Sequence, residues 1–171
     1  MRAHPLVRTL FASSRLAGMV RVSGTRKMAG VALPVLAKFA PWALSFYMHA
    51  KSTDVSQHAV MVQTVEDPVP TINREIADWI KRRDLVIRGV NVSEALPRMR
   101  HPFLCVVAMQ DGVVLPETSR ATFDAIGSED KQLLAVGEDD WPIAHADLFI
   151  STGAQERIFA PVGEWLTRRA D

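Results

Sequence analysis

An aspartate and a histidine, each placed just after an apolar run, are the side chains of this sequence best positioned for chemistry. Asp111 follows Phe103–Met109 (FLCVVAM), and His145 lies in the loop after Lys131–Val136 (KQLLAV). Where such runs form parallel strands, the loops at their carboxyl ends carry the reacting groups. An acid followed along the chain by a histidine fits the order Ser…Asp…His. There the carboxylate fixes the imidazole's tautomer and the imidazole takes a proton from the serine. The plainer roles are an Asp-Gly turn for Asp111 and a solvated loop histidine for His145. The joint pattern favours the pair. Asp139 and Asp140 are weaker alternatives for the acid, and Asp147 is expected to cap the helix that follows it.

The nucleophile is the missing member. The serines before Asp111 include Ser23, Ser45, Ser52 and Ser93, and none stands in a G-x-S-x-G elbow; Ser23-Gly24 lacks the first glycine. Cys105, the sole cysteine, sits inside the first apolar run and is expected to be buried as a small hydrophobe. A single cysteine also excludes an intramolecular disulfide and a multi-cysteine metal site. His4, His49, His58 and His101 show no spacing of the His-Glu-x-x-His kind, so neither a metal nor a cofactor is expected.

The elements that must hold Asp111 and His145 can be read from periodicity. Phe103–Met109 predicts a strand buried on both faces, Thr118–Ile126 a helix closed by Gly127, and Lys131–Val136 a second strand stopped by Gly137. An irregular acidic turn, Glu138–Asp147, leads to a helix from about Leu148 to Arg169, burying Ile158, Val162, Trp165 and Leu166. Strand, helix, strand, helix implies parallel strands in an α/β sheet. Composition changes near Pro97–Pro102, which divides residues 1–100, a helical cap-like region, from residues 101–171, the α/β core segment. In the first part, helical spacing occurs at Leu6, Leu10, Phe11 and Leu16. It recurs in Val31–Phe39 and Trp42–Met48, two short helices broken by Pro34 and Pro41. A further helix, capped by Thr71, would place Ile72, Ile76, Trp79 and Ile80 on one face. The whole reads as a four-helix layer.

Pro102–Arg169 resembles the carboxyl-terminal end of an α/β-hydrolase. The likeness rests on the apolar strand, on Asp111 followed by Val114-Leu115-Pro116, and on the second strand. It continues through the turn around His145, Asp147-Leu148, and a last helix holding Trp165-Leu166. The chain departs from the family at Ala144, where a glycine usually precedes the histidine. The resemblance implies Asp111 as triad acid, His145 as triad base, and a parent enzyme of the serine esterase or lipase kind that cleaves an ester or related acyl bond. It also implies that the nucleophile elbow and the oxyanion donors lie in a part not contained here. The sequence thus reads as the second half of such a fold, from a truncated reading frame or from a fragment completed by another chain, inactive alone. The cysteine nucleophile of the related polyhydroxyalkanoate synthases makes an acyltransferase fragment using Cys105 a further alternative.

The 171 residues, 48% hydrophobic and 23% charged with a formal net charge of +1, suit one soluble domain and give no support to an electrostatic nucleic-acid binder. Charge is nevertheless uneven. Eight basic residues and no Asp or Glu occupy Met1–Thr53. Such a stretch can imitate a transit peptide or attract an anionic membrane surface, although the lone cysteine points to the cytoplasm. Met28–Ala50 is apolar enough to suggest a span, but Lys38 lies at its middle and Pro34 and Pro41 interrupt it. Trp42, Phe46 and Tyr47, with Met48, could line an acyl pocket or form plain core. Partners consistent with these readings are a small acyl or ester substrate and a protein chain completing the sheet. A non-catalytic interaction or membrane-peripheral protein is the rival.

Overall fold

Residues 24–170 are described by the computed structural model; the helical spacing at Leu6–Leu16, His4 and Ser23 fall outside them. Helix α1 (Thr25–Phe39) begins at Gly24 and is capped from a distance. The Asp67 carboxylate accepts from the Gly24 and Thr25 N–H groups (3.2 and 2.8 Å) and from the Thr25 hydroxyl (2.6 Å). An anion thereby meets the positive helix end and takes up donors that the helix cannot satisfy itself. Pro34, expected to break the helix, lies inside it. A proline there removes one hydrogen bond, to the carbonyl four residues earlier, and that residue is Gly30. The break comes instead at Ala40, whose φ of −143° is non-helical because Pro41 follows it. Trp42–Met48 consequently forms a 3-10 turn (Pro41–Ala43) and further turns rather than the expected second helix.

A 3-10 turn (Val55–Gln57), α2 (His58–Met61) and another 3-10 turn (Val62–Thr64) lead to α3 (Pro70–Arg82). Thr71 does not cap α3. Pro70 occupies its first position, where a missing N–H costs nothing and φ is preset. Of the expected apolar face, Ile76, Trp79 and Ile80 are half-buried and Ile72 is exposed. A small antiparallel hairpin follows, β1 (Val86–Ile87) and β2 (Val90–Asn91), turned through Arg88 and Gly89 at φ 50° and 80°. Two consecutive left-handed residues are what a two-residue hairpin turn of this hand demands. Asn91 then caps α4 (Val92–Ala95), and a 3-10 turn (Leu96–Arg98) follows.

The α/β part is built on β3 (Phe103–Ala108) and β4 (Lys131–Val136), which pair in parallel from Phe103↔Lys131 to Ala108↔Val136. Between them α5 (Pro116–Ala125) supplies the crossover a parallel pair requires. It ends two residues before Gly127: Ile126 is extended, and the Lys131 ammonium collects the Phe123 and Ile126 carbonyls (2.9 and 2.8 Å). The expectation of a strand buried on both faces fails for most of β3. Only Val107 and Ala108 are buried, because no further strand flanks the pair among the described residues. The described residues are thus mixed α/β with two small sheets, one parallel and one antiparallel.

Its core gathers at the carboxyl ends of β3 and β4. Ala108 and Val136 pack with Trp141, Ile143, Ala154 and Ile158, and Val106, Leu134 and Leu148 border them. The expected single final helix is interrupted. It consists of α6 (Asp147–Ile150), a π-helical turn (Gln155–Phe159) and α7 (Ala160–Thr167), with Gly153 at φ 90° in the break. Pro161 has no N–H to offer the preceding turn, and the helix is widened just ahead of it. Ile158 and Trp165 are buried, Val162 half-buried, and Leu166 is exposed.

Candidate active site

Two loops leave the carboxyl ends of β3 and β4, and they are laced together before either presents its functional group. Met109 N–H donates to the Val136 carbonyl (2.8 Å) and Gln110 N–H to the Ile143 carbonyl (3.0 Å). The Gln110 side-chain oxygen accepts in turn from Ile143 N–H (2.9 Å). Trp141 anchors the second loop: its indole N–H donates to the Thr152 carbonyl (2.8 Å), and the Arg157 guanidinium stacks on its ring at 4.2 Å. Packing and hydrogen bonds therefore fix the loop that carries His145.

Asp111 and His145 meet. The histidine Nδ1 lies 2.9 Å from Asp111 Oδ2, and Asp111 Oδ1 accepts from the Val113 and Val114 N–H groups, each at 2.8 Å. The carboxylate side chain is 6% exposed and the imidazole 38%. Two backbone donors hold one oxygen, which aims the other at the ring. An ionised carboxylate only accepts, so the neutral imidazole carries its proton on Nδ1 and its lone pair on Nε2. Nε2 has no hydrogen-bond partner among the described residues. The hydrogen bond that His145 donates to Asp111 raises the His145 pKa above its ordinary 6.5; partial burial opposes that, and the Asp111 charge adds to it. The sign follows from linkage. With the folded pKa raised, the contribution to stability is complete below about pH 6.5 and is lost as pH rises through the folded value. Asp139 and Asp140 are exposed in the loop and do not pair with the ring.

A third segment, residues 44–53, braces both loops. Gly112 N–H donates to the Phe46 carbonyl (2.9 Å) and Ala146 N–H to the Tyr47 carbonyl (2.8 Å). A Cβ at Gly112 would come within 2.6 Å of the Phe46 Cβ, so the backbones approach this closely only with glycine there. Ser52 donates to the Pro142 carbonyl, and its own carbonyl accepts from Thr152 N–H (2.7 Å). Asp147 ties the segment to the histidine loop. It is fully buried, accepting from His49 N–H (2.9 Å), Ala144 N–H (2.9 Å) and the Thr53 hydroxyl (2.6 Å). It was expected to cap the last helix, but it is the first residue of α6, and its carboxylate reaches outside that helix to partners across the fold. Three donors compensate the burial of its charge. Among the described residues no cluster could hold a metal ion.

The aromatic residues divide. The Tyr47 ring lies 6.0 Å from the His145 ring and 6.4 Å from that of Phe46, both half-exposed, whereas Met48 is buried. Trp42 stands 77% exposed on the surface. No serine among the described residues bonds to His145: Ser45 donates to the Trp42 carbonyl and Ser52 to that of Pro142. Cys105 is mid-strand with Sγ 3.9 Å from the Ser119 carbonyl, and burial pushes its thiol pKa up, the wrong direction for a nucleophile. Ala144 is fully buried and does not have positive φ, so alanine fits where the resembled family has glycine. Sequence reasoning missed Gln110, Ser52, Thr53 and the bracing role of Asp147. The hairpin at Arg88-Gly89 was missed too, though a glycine-containing pair between β-branched residues signals one. No family model, curated protein or solved structure matches this chain.

Proposed function

We propose that this chain carries the acid and base of a Ser-His-Asp centre, of the α/β-hydrolase kind, that hydrolyses an ester or related acyl bond. The observation behind it is the 2.9 Å contact between His145 Nδ1 and Asp111 Oδ2, with Nε2 left unpartnered among the described residues. His145 Nε2 takes the proton of a serine hydroxyl as it attacks the acyl carbon and returns it to the leaving group. Asp111 keeps Nδ1 protonated and stabilises the imidazolium. Tyr47 lies beside the His145 ring and Phe46 beside Tyr47, which would give an acyl group apolar surface near the base. None of these 171 residues stands in a G-x-S-x-G elbow, so in this reading the serine would come from another segment or chain. No other described strand flanks the β3–β4 pair, which supports this reading, because an open strand edge is where further strands add.

A serine-directed fluorophosphonate tests the proposal. In the native protein that contains this sequence the probe is expected to label a serine outside it, and His145→Ala should slow labelling roughly 10²–10⁴-fold. Labelling indifferent to His145→Ala, or no labelling of the native protein, would contradict the proposal. The same open edges favour a second reading, a non-catalytic protein that binds another chain by strand addition. It predicts tight association that survives His145→Ala.

A further inference from the structure

Helix α1 has an outward face that nothing else in the described protein uses. Leu33 and Leu36 turn inward and are half-buried, whereas Met28, Val31, Val35 and Phe39 are 61%, 71%, 50% and 73% exposed. At about 100° per residue these four fall within an arc of roughly 80°. Lys27 and Lys38 lie together along one border of that arc, and among the described residues neither forms an ion pair. The Lys38 ammonium rests 5.3 Å above the Phe39 ring. Arg26, on the opposite side of the helix, is paired with Glu66 at 2.8 Å. Trp42 extends the apolar edge just past the helix end, and no acidic residue occurs before Asp54.

We propose that this face of α1, with Trp42, adsorbs to an anionic phospholipid bilayer surface. An apolar stripe bordered by lysines and ended by aromatic residues matches the layering of an interface, with anionic headgroups above acyl chains. Lys27 and Lys38 would reach the headgroups while their stems and the stripe sit deeper. A second copy of the chain fits less well, since the same lysines would face each other across the contact. Among the described residues no helix is long and apolar enough to cross a membrane, so α1 would lie along the surface. The inference stands independently of Asp111 and His145.

The test is co-sedimentation of the full chain with vesicles of phosphatidylcholine alone or mixed with phosphatidylserine, together with quenching of tryptophan fluorescence by brominated acyl chains. Binding is expected to the mixed vesicles and not to the neutral ones, with quenching. Each cation near an anionic surface strengthens binding about fivefold, so the double variant Lys27→Glu, Lys38→Glu should weaken it at least ~25-fold. Val35→Asp should abolish quenching, and His145→Ala should change nothing. Absence of binding, equal binding to neutral vesicles, or quenching that persists in Val35→Asp would overturn the proposal.

Discussion

Around Asp111 and His145 the protein buries polar side chains and pairs most of them, His49 Nε2 and the Ser151 hydroxyl excepted, while along α1 it exposes apolar ones and leaves Lys27 and Lys38 without an acidic partner among the described residues. Asp147, Ser52 and Thr53 are all buried, and each is hydrogen-bonded to a different stretch of chain. On α1 not one residue is buried. A buried polar network is costly unless satisfied, and once satisfied it fixes one arrangement of the backbone. The first region is therefore organised to hold two side chains in place, and the second is organised to meet something else. The difference also separates what each substitution should do.

The largest effect is expected at Asp147. Asp147→Ala would strand His49 N–H, Ala144 N–H and the Thr53 hydroxyl, with a loss of roughly 3–5 kcal/mol. Urea unfolding measures it, and a loss under about 1 kcal/mol would show that the network is not structural.

The two regions also differ in how far the sequence revealed them. Strands β3 and β4 were both legible because continuous apolar runs between turn residues leave few alternatives, and the parallel pairing followed from the crossover helix. Asp111 and His145 were legible as a pair because each ends such a run. The brace was not. Asp147 and Thr53 are 94 residues apart, and no local pattern announces a bond over that distance. Local sequence makes Asp147 a helix cap, the commoner use of an aspartate just before an apolar run. Pro34 misled for a related reason: a proline inside a helix costs roughly 3 kcal/mol but does not by itself decide where the helix ends. The breaks in the final helix, at Gly153 and ahead of Pro161, carried a signal in those two residues that the apolar spacing of Ile158, Val162 and Trp165 masked.

At the small end, Val35→Asp should leave folding stability within about 0.5 kcal/mol, because the side chain already faces solvent. The same variant is the one expected to lose membrane contact, so thermal unfolding beside the vesicle assay separates a folding role from a docking role. A destabilisation of several kcal/mol would mean that α1's outer face is packed after all, and the contrast between the two regions would fall.

The pairing of Asp111 with His145 is tested most directly by a nitrogen-15 NMR titration of the His145 ring in the intact chain and in Asp111→Asn. In the intact chain His145 should titrate above 6.5, with the proton on Nδ1 and the lone pair on Nε2 in the neutral form. In Asp111→Asn its pKa should fall, because the anion that favours the charged ring is gone. Titration at the ordinary histidine value in both proteins, or a neutral ring protonated on Nε2, would contradict the acid–base pair on which the proposed function rests.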